Sequence, residues 1–312
     1  MIEIEDLTRR FGTFTAVDGV RLSVPRGQVL GFLGPNGAGK STTMRMVTGF
    51  LPPTSGTARL DGHDVITDTQ AAQRVLGYLP EGAPAYPDMT PRGFLDFVGE
   101  VRGLSKADRK RRTGELAERI SLGGVLDQPI DTLSKGFRRR VGLAQALIHD
   151  PDILIMDEPT DGLDPNQKHE VRELIRSMAD SKAIVLSTHI LEEVEAVCDR
   201  AVIINRGRLE VDGTPEELLA RSERHGAVRL RFTGAVPADA SSTLDALEPV
   251  KRVVVEGDSD LLAIPANGQA LLEPVAQIAR ERSWPVGEVL VERGRLDEVF
   301  RDVTSPDSEV RA

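Results

Sequence analysis

The sequence predicts an α/β fold in which several parallel strands end in polar residues at one edge of a sheet. Three apolar stretches each run directly into polar residues: 26–34 into a glycine-rich loop, 153–156 into Asp157-Glu158, and 183–187 into Thr188-His189. In open α/β sheets, ligands bind outside the carboxyl ends of the strands. We therefore expect these three polar groups to form one site.

The glycine-rich stretch GPNGAGKS matches the pattern G-x-x-x-x-G-K-[ST] and lies between a predicted strand and a predicted helix. Successive backbone N–H groups of such a loop curl around an anion, and the helix start adds its positive dipole end. We expect Lys40 to reach the β- and γ-phosphates of a nucleotide, Ser41 to bind Mg²⁺ and Thr42 to lie on the α-phosphate side. A plain glycine-rich turn is the alternative, and both flanks argue against it. The predicted nucleotide-binding residues here are Gly34, Pro35, Asn36, Gly37, Ala38, Gly39, Lys40, Ser41 and Thr42.

Two adjacent acids end the apolar stretch Ile153 to Met156. At the carboxyl end of a strand, Asp157 is placed to hold Mg²⁺, usually through water, and Glu158 to polarise an attacking water molecule. A surface Asp-Glu pair is the alternative, but the apolar run before it and the Pro-Thr turn after it argue against that interpretation.

His189 follows the third strand and is the candidate contact for a γ-phosphate, although a lone histidine is more often structural. A further anion site is predicted where Ser134 and Gly136 open an apolar-striped helix, with Leu143, Ala146 and Leu147 at helical spacing and Pro151 at its end.

Composition is ordinary for a soluble globular protein, with 40% hydrophobic and 28% charged residues. The formal net charge of −10 argues against nucleic acid as the main partner. No apolar run reaches the roughly 18 residues of a membrane span, and the acidic start does not resemble a secretory signal. The single cysteine, Cys198, excludes an internal disulfide and favours a reducing cytosolic setting.

Together, the phosphate loop, the Ser-x-Gly signature, the Asp-Glu strand end and the histidine resemble the nucleotide-binding subunit of an ATP-binding cassette (ABC) transporter over residues 1–220. The resemblance implies a P-loop NTPase with a mixed sheet core, an antiparallel β-subdomain and a helical subdomain at 82–150. It also implies that Phe11 stacks on adenine with Val17 nearby, and that Asp164 acts across a dimer. The stretches GYLPE, LSKGF and GRLDEVFRDVT resemble the ABC-2 type exporter ATPases, closest to gliding-motility, multidrug and polysaccharide exporters.

Three departures from the common family pattern stand in this sequence. Glu81 replaces a glutamine; its carboxylate can still bind Mg²⁺ through oxygen but lacks amide N–H donors. Lys135 and Phe137 replace the glycine and glutamine of LSGGQ, and Asp161 replaces a serine. Lys135 is expected to point to solvent, as charged side chains mostly do, with a phosphate contact as the alternative.

The resemblance implies a dimer in which one subunit supplies Lys40, Asp157, Glu158 and His189 around ATP and Mg²⁺, and the other supplies Ser134 and Gly136. The second subunit is a copy of this chain or a paralogue. A separate transmembrane permease of ABC-2 type would bind the pair, which places the chain peripherally on the cytoplasmic face of the inner (plasma) membrane. The alternatives are a soluble ABC ATPase acting on ribosomes or DNA, and an ATP sensor without hydrolysis; the acidic charge opposes the first, and Glu158 with His189 opposes the second.

The predicted helical subdomain is the expected docking place of the permease, with Pro84, Tyr86, Pro87 and Met89 at the mouth of a groove. The basic run 106–112 within it is either a lipid-headgroup contact or, as we favour, a solvated helix face.

The remaining residues, 221–312, predict a small α+β domain of split βαβ type without a catalytic group. Its expected elements are strands at 227–233, 251–256, 260–264 and 286–292, helices at 241–248 and 268–282, and a short helix from Leu296.

Overall fold

A computed structural model describes residues 1–266 and 268–305. The chain forms two compact units, Met1–Thr214 and Pro215–Ala312. Asn267 and residues 306–312, the end of the predicted C-terminal domain, lie outside the described residues. None of the helices in the described part of the chain combines the length and the apolar character that crossing a bilayer requires.

A six-stranded mixed sheet forms the centre of the first unit. Its strands are β3 Gln28–Leu33, β6 Leu76–Leu79, β7 Ile153–Asp157, β8 Ala183–Thr188, β9 Arg200–Asn205 and β10 Arg208–Gly213. The order is β10-β9-β3-β8-β7-β6, with parallel pairing throughout except for the antiparallel β9–β10 hairpin. Nearly all residues of β3, β6, β7 and β8 are buried, as is usual for the strands of a parallel sheet that is covered on both faces.

A second, antiparallel sheet has the order β2-β1-β4-β5. Its strands are β1 Ile2–Phe11, β2 Phe14–Val24, β4 Ser55–Leu60 and β5 His63–Asp64. β1 and β2 alternate between buried and exposed residues over much of their length, so one face of the sheet packs inward and the other meets solvent. One apolar cluster joins this sheet to the central one through residues such as Leu7, Val20, Phe32 and Ile155.

The helices of the first unit are α1 Lys40–Val47, α2 Thr69–Arg74, α3 Pro91–Val101, α4 Lys106–Arg119, α5 Lys135–Leu147, α6 Pro165–Ala179 and α7 Leu191–Val197. Three of them, α3 to α5, lie within the predicted helical subdomain and pack on one another. Hydroxyl caps start all three helices, since the Thr90, Ser105 and Ser134 side chains each accept a backbone N–H. The architecture confirms the predicted fold class of the first unit.

The second unit contains a four-stranded antiparallel sheet of order β12-β13-β11-β14. Its strands and helices are α8 Pro215–Leu219, β11 Val228–Phe232, α9 Ala240–Asp245, β12 Val250–Glu256, β13 Asp260–Pro265, α10 Leu272–Glu281, β14 Val286–Val291 and α11 Leu296–Thr304. The two βαβ units are β11-α9-β12 and β13-α10-β14. β13 lies between β11 and β12, and β11 lies between β13 and β14, which confirms the predicted split βαβ topology. Trp284 packs in the core of the unit, 6.3 Å from Phe232 between ring centroids.

Candidate functional site

Strand register brings the three predicted polar groups to one edge of the central sheet. In the parallel pairing, Leu33 of β3 lies opposite Thr188 of β8, and Asp157 of β7 lies opposite Ser187 of β8. Gly34, Glu158 and His189, the residues that follow these strands, therefore leave the sheet side by side.

The glycines of the phosphate loop are required by backbone conformation and close approach. Gly39 has φ of 110°, which side-chain-bearing residues rarely adopt, and a Cβ there would lie 2.6 Å from the Ala16 carbonyl. A Cβ at Gly34 would lie 2.5 Å from the Ile204 carbonyl. Val17 is fully buried, and its Cγ2 would lie 3.4 Å from a Cβ placed at Gly39.

Lys40 lies within this loop with only 7% of its surface exposed. Its ammonium donates to the Gly34 carbonyl at 2.7 Å and to the Pro35 carbonyl at 3.3 Å. Burial lowers the pKa of Lys40, and the negative charges of Glu158, Asp157 and Glu81 oppose that effect. The charges of all three predicted acids thus act on the Lys40 ammonium, which lies buried within the phosphate loop.

The oxygen donors around Asp157 fit a hard divalent cation. Asp157 is 1% exposed, and its carboxylate accepts a hydrogen bond from the hydroxyl of Ser187 on the neighbouring strand. Ser41 is half-buried at the first turn of α1, and Glu81 is exposed two residues after β6. Among the described residues, no cluster of three His, Cys, Asp or Glu side chains could hold a metal by itself. Nucleotide oxygens would have to complete the coordination of Mg²⁺. This ion prefers oxygen ligands and is usually bound by one or two protein carboxylates together with substrate phosphates and water.

Glu158 and His189 form a hydrogen-bonded pair at the same edge. Nδ1 of His189 lies 2.8 Å from Oε2 of Glu158, and the two side chains are 53% and 13% exposed. Glu158 has φ of 54°, an uncommon left-handed conformation for a residue other than glycine. Its N–H donates to the Ser187 carbonyl at 3.0 Å, which fixes the direction in which the carboxylate leaves the sheet.

A buried acid holds the turn that carries His189. The Thr188 hydroxyl donates to Glu193 Oε2 at 2.9 Å and accepts the Ile190 N–H at 3.0 Å, so the residues on both sides of His189 are fixed. Glu193 is 1% exposed, and burial raises the pKa of its carboxyl.

The other predicted nucleotide contacts lie at the starts of α5 and α6. Ser134 caps α5 by accepting the Phe137 N–H at 3.3 Å, and Asp164 caps α6 by accepting the Gln167 N–H at 3.0 Å. Gly136 packs against the Gln167 side chain, where a Cβ would lie 2.4 Å from Oε1. The start of α5 therefore contacts α6 through Gly136 and Gln167. The capping hydrogen bonds of Ser134 and Asp164 stay within their own helices and do not reach the phosphate loop.

Phe11 ends β1 and is 47% exposed, with the Arg9 guanidinium 4.6 Å from its ring centroid. One face of the ring therefore carries a cation, and the structure shows the side chain at the surface of the antiparallel sheet.

Sequence reasoning missed three residues that hold this site: Ser187, Glu193 and Arg139. Arg139 is 6% exposed on α5, and its guanidinium donates to backbone carbonyls of Asp157, Glu158 and Pro159. A signal for it exists, since Arg139 precedes Leu143 by four residues and so shares the apolar face of the helix. Ser187 and Glu193 gave no such signal.

The comparisons with known proteins agree with this geometry. The family described as "ABC transporter" matches residues 17–161. The chain is 36% identical over 305 residues to the Nod factor export ATP-binding protein I of Ralstonia nicotianae, covering 97% of this chain and 94% of the relative. It is 35% identical over 319 residues to the daunorubicin/doxorubicin resistance ATP-binding protein DrrA of Streptomyces peucetius, covering 100% and 94%.

Solved structures show the same fold in the first unit. An ATP binding subunit of an ABC transporter superposes with a TM-score of 0.66 at 31% identity, over 70% of this chain and 91% of that one. A dimeric bacterial ABC transporter cassette superposes with a TM-score of 0.65 at 22% identity, over 69% and 99%, which supports the fold. The chain therefore belongs to the ABC transporter family, as an ATP-binding, ATP-hydrolysing subunit of the exporter type.

Proposed function

We propose that this chain hydrolyses ATP between two ATPase subunits and so drives a separate ABC-2 type permease of an exporter. The observation that carries the proposal is the division of the predicted residues into two groups. Lys40, Asp157, Glu158 and His189 share the edge of the central sheet, whereas Ser134 and Gly136 lie at the start of α5, against α6. One chain thus offers two half-sites, and a second copy or a paralogue supplies the complement of each.

Within a completed site, Glu158 acts as the general base that polarises the attacking water. His189 orients the Glu158 carboxylate through Nδ1, and its other ring nitrogen is available to the γ-phosphate. Lys40 neutralises charge on the β- and γ-phosphates, while Thr42, Phe11 and Val17 surround the rest of the nucleotide. Ser41, Asp157 and Glu81 would hold Mg²⁺, which supplies a positive charge that screens the phosphate oxygens.

ATP bound between two subunits stabilises the closed pair, because the nucleotide then has contacts with both faces that the open pair lacks. Cleavage of the γ-phosphate removes part of those contacts, and the pair reopens. A membrane subunit attached to both ATPase subunits can convert this two-state cycle into the movement of cargo.

A groove of about 1360 Å³ between the central sheet and the helices α3 and α5 suits the attachment of such a subunit. Its wall includes Tyr86, whose ring lies 6.1 Å from Phe94 and 5.9 Å from Phe97 between centroids. Tyr86, Phe97 and Val101 are 56%, 44% and 70% exposed. So many exposed apolar side chains in one concave surface indicate a protein-binding site.

The two prolines predicted at the mouth of the groove lie in different places. Pro84 lines this groove, whereas Pro87 lines only a neighbouring cavity of about 420 Å³.

The alternative is an ABC ATPase that acts on ribosomes or DNA. The net charge of −10 disfavours a polyanionic partner. The exposed apolar side chains of the groove, Tyr86, Phe97 and Val101, favour an apolar protein helix. The names of the relatives, which are export and drug-resistance proteins, support the exporter. The chain would then lie peripherally on the cytoplasmic face of the inner membrane.

Membrane fractionation in the cell that carries this protein tests the proposal. The parent chain should sediment with membranes, and Phe97→Asp should move to the soluble fraction because a carboxylate in the groove disfavours an apolar helix. Ile66→Asp, at an equally exposed apolar residue outside the groove lining, is the control and should stay with membranes. Equal membrane retention of both variants, or co-sedimentation of the parent with ribosomes, would contradict the proposal.

A further inference from the structure

Arg139 is a buried arginine that has no carboxylate partner among the described residues. It is 6% exposed on α5, and no described carboxylate lies within ion-pair distance of its guanidinium. Buried charges are costly unless they are paired or fully hydrogen-bonded. Burial accordingly lowers the pKa of Arg139, while the more distant charges of Asp161, Asp157 and Glu158 oppose that effect. An arginine that burial penalises in this way needs a compensating set of acceptors.

Four backbone carbonyls supply that set. Nη2 donates to the carbonyls of Asp157 and Glu158, and Nε donates to the carbonyl of Pro159 at 3.3 Å. Nη1 donates to the carbonyl of Pro80 at 3.4 Å, immediately before Glu81. The planar guanidinium thus ties together the turn after β7, which carries Glu158, and the segment after β6, which carries Glu81.

The turn that Arg139 holds is the one in which Glu158 adopts φ of 54°. Backbone in this sparsely populated region is strained and persists only where its surroundings hold it. At Glu158 the N–H is fixed by the Ser187 carbonyl, the carboxylate by His189 and the carbonyl by Arg139. Of these partners, Arg139 is the one that lies outside the sheet edge, one turn along the helix that Ser134 caps.

We propose that Arg139 is a positioning residue for ATP hydrolysis: it fixes the turn of Glu158 and links that turn to the helix start that would contact the partner subunit's nucleotide. The proposal rests on the proposed role of Glu158 as the general base. Arg139 itself touches neither nucleotide nor water in this scheme. A displacement of α5 when the second subunit closes would be transmitted to the Glu158 backbone through the guanidinium.

The test compares Arg139→Met with Arg140→Met in the full-length purified chain. Arg140 is the matched control, because it is also 6% exposed on the same helix but bonds to the Ile120 carbonyl at 3.3 Å and to Glu170 at 3.1 Å. Both variants should lower the thermal midpoint. Arg139→Met should lower kcat by about 10- to 100-fold, within the range that general-base catalysis contributes. Its KM for ATP should stay within about threefold of the parent value, because the phosphate loop is untouched.

A double-mutant cycle with Glu158→Gln separates positioning from a general loss of structure. If Arg139 acts through Glu158, Arg139→Met should reduce turnover of the Glu158→Gln chain by less than about threefold, since residues that act as a unit are not additive. If Arg139→Met does not fold, Arg139→Lys carries the same test, because lysine keeps the charge but cannot reach carbonyls on separate segments.

The inference is overturned if the Arg139 variant retains the parent kcat, if Arg140→Met loses kcat to the same extent, or if the losses multiply in the double mutant. A parent-like rate for Glu158→Gln alone would instead refute the proposed function. Full inactivity of Glu158→Gln with a parent-like Arg139 variant would refute the positioning role and leave the proposed function standing.

Discussion

At the scale of single residues, the function of Glu158 depends on its backbone as much as on its carboxylate. Its left-handed φ turns the chain sharply after β7, and its side chain lies beside His189. Strained backbone of this kind is concentrated at functional sites, where the surrounding contacts maintain it. The geometry therefore supports a catalytic role for Glu158, while the Ser187 hydroxyl orients the carboxylate of Asp157, the proposed magnesium ligand.

Replacement of Glu158 by glutamine should lower the ATP turnover number by roughly two to four decades, the range expected when a general base is lost. Gln keeps the size of the side chain but cannot accept a proton, and Lys40 and the phosphate loop are unchanged. ATP affinity, measured by equilibrium binding of a fluorescent analogue, should therefore stay close to that of the parent. The rate is measured as phosphate release at saturating ATP with Mg²⁺.

The control for this experiment is Glu192→Gln, which neutralises an exposed acid in α7 outside the site. It should hydrolyse ATP at the parent rate. A Glu158→Gln chain that is as active as this control would show that another group serves as the base.

The sequence predicted that Gly34, Glu158 and His189 meet at one edge of the sheet, but not which side chains hold them there. Gly34, Glu158 and His189 each follow an apolar strand, and that local pattern was sufficient to place them. The supporting residues were missed for two reasons. Ser187 and Arg139 contact residues that are distant in sequence, Asp157 and Glu158, at separations of 30 and 19 residues. Glu193 is a buried acid, and its residue type alone does not predict burial. The position of Arg139 on the apolar face of α5 indicates that it is buried, but its carbonyl partners depend on how α5 packs on the sheet, which the local sequence does not encode.

At the scale of elements, two departures from the family pattern meet at the starts of α5 and α6. Lys135 donates to Asp161 at 2.8 Å, and its side chain is 64% exposed. It points largely to solvent, as predicted, but with a carboxylate partner that the sequence did not indicate. This hydrogen bond lowers the pKa of Asp161. Because an exposed ion pair contributes little to stability, we assign it no energetic role.

The end of α5 contains a histidine that should make stability depend on pH. His149 lies just beyond the helix, and Nε2 lies 3.0 Å from the Leu76 carbonyl, so this nitrogen carries the proton of the neutral ring. Burial, with a contribution from the charge of Arg102, lowers the pKa of His149 from 6.5 to about 4. The folded chain therefore excludes a proton that the unfolded chain binds between those two pH values.

As pH falls from 6.5 to about 4, this histidine should reduce the free energy of unfolding of the first unit, by up to about 3 kcal/mol when fully expressed. Well above pH 6.5 the histidine is neutral in both the folded and the unfolded chain, so it does not reduce the free energy of unfolding there. His149→Gln keeps an N–H donor for the Leu76 carbonyl but does not titrate. The difference in urea midpoint between pH 7.5 and pH 5 should therefore be smaller in this variant than in the parent.

Exposed His169 provides the matched substitution, His169→Gln, which also removes one imidazole but from the surface of α6. The same two pH values and the same urea series apply. An unchanged pH dependence in His149→Gln would show that the acid-side loss of stability has its origin in the carboxylates instead.

At the scale of the whole molecule, the sequence predicted the topology of the C-terminal sheet better than it predicted the ends of the helices. The alternation of strand and helix signals after residue 227 was enough to predict the split βαβ order. The helix predicted at 268–282 is α10, which spans only Leu272–Glu281. It begins directly after Leu271, whose side chain is buried in the core of the unit. Burial of that kind depends on the packed unit as a whole.

The divided site makes a prediction that only an assembly of two chains can satisfy. Lys40→Met should remove ATP binding at the phosphate loop, and Ser134→Glu should place a negative charge where the partner's γ-phosphate would bind, so each variant alone should be inactive. In a mixed dimer, the intact loop of the Ser134→Glu chain faces the intact helix start of the Lys40→Met chain, and one complete site results. Mixing equal amounts should restore about a quarter of the parent turnover, because half of the dimers are mixed and each has one complete site of two.

Phosphate release is measured for the mixture and for each component at the same total concentration. If Lys40 and Ser134 of one chain served the same nucleotide, every mixed dimer would contain two defective sites, and the mixture would be as inactive as its components.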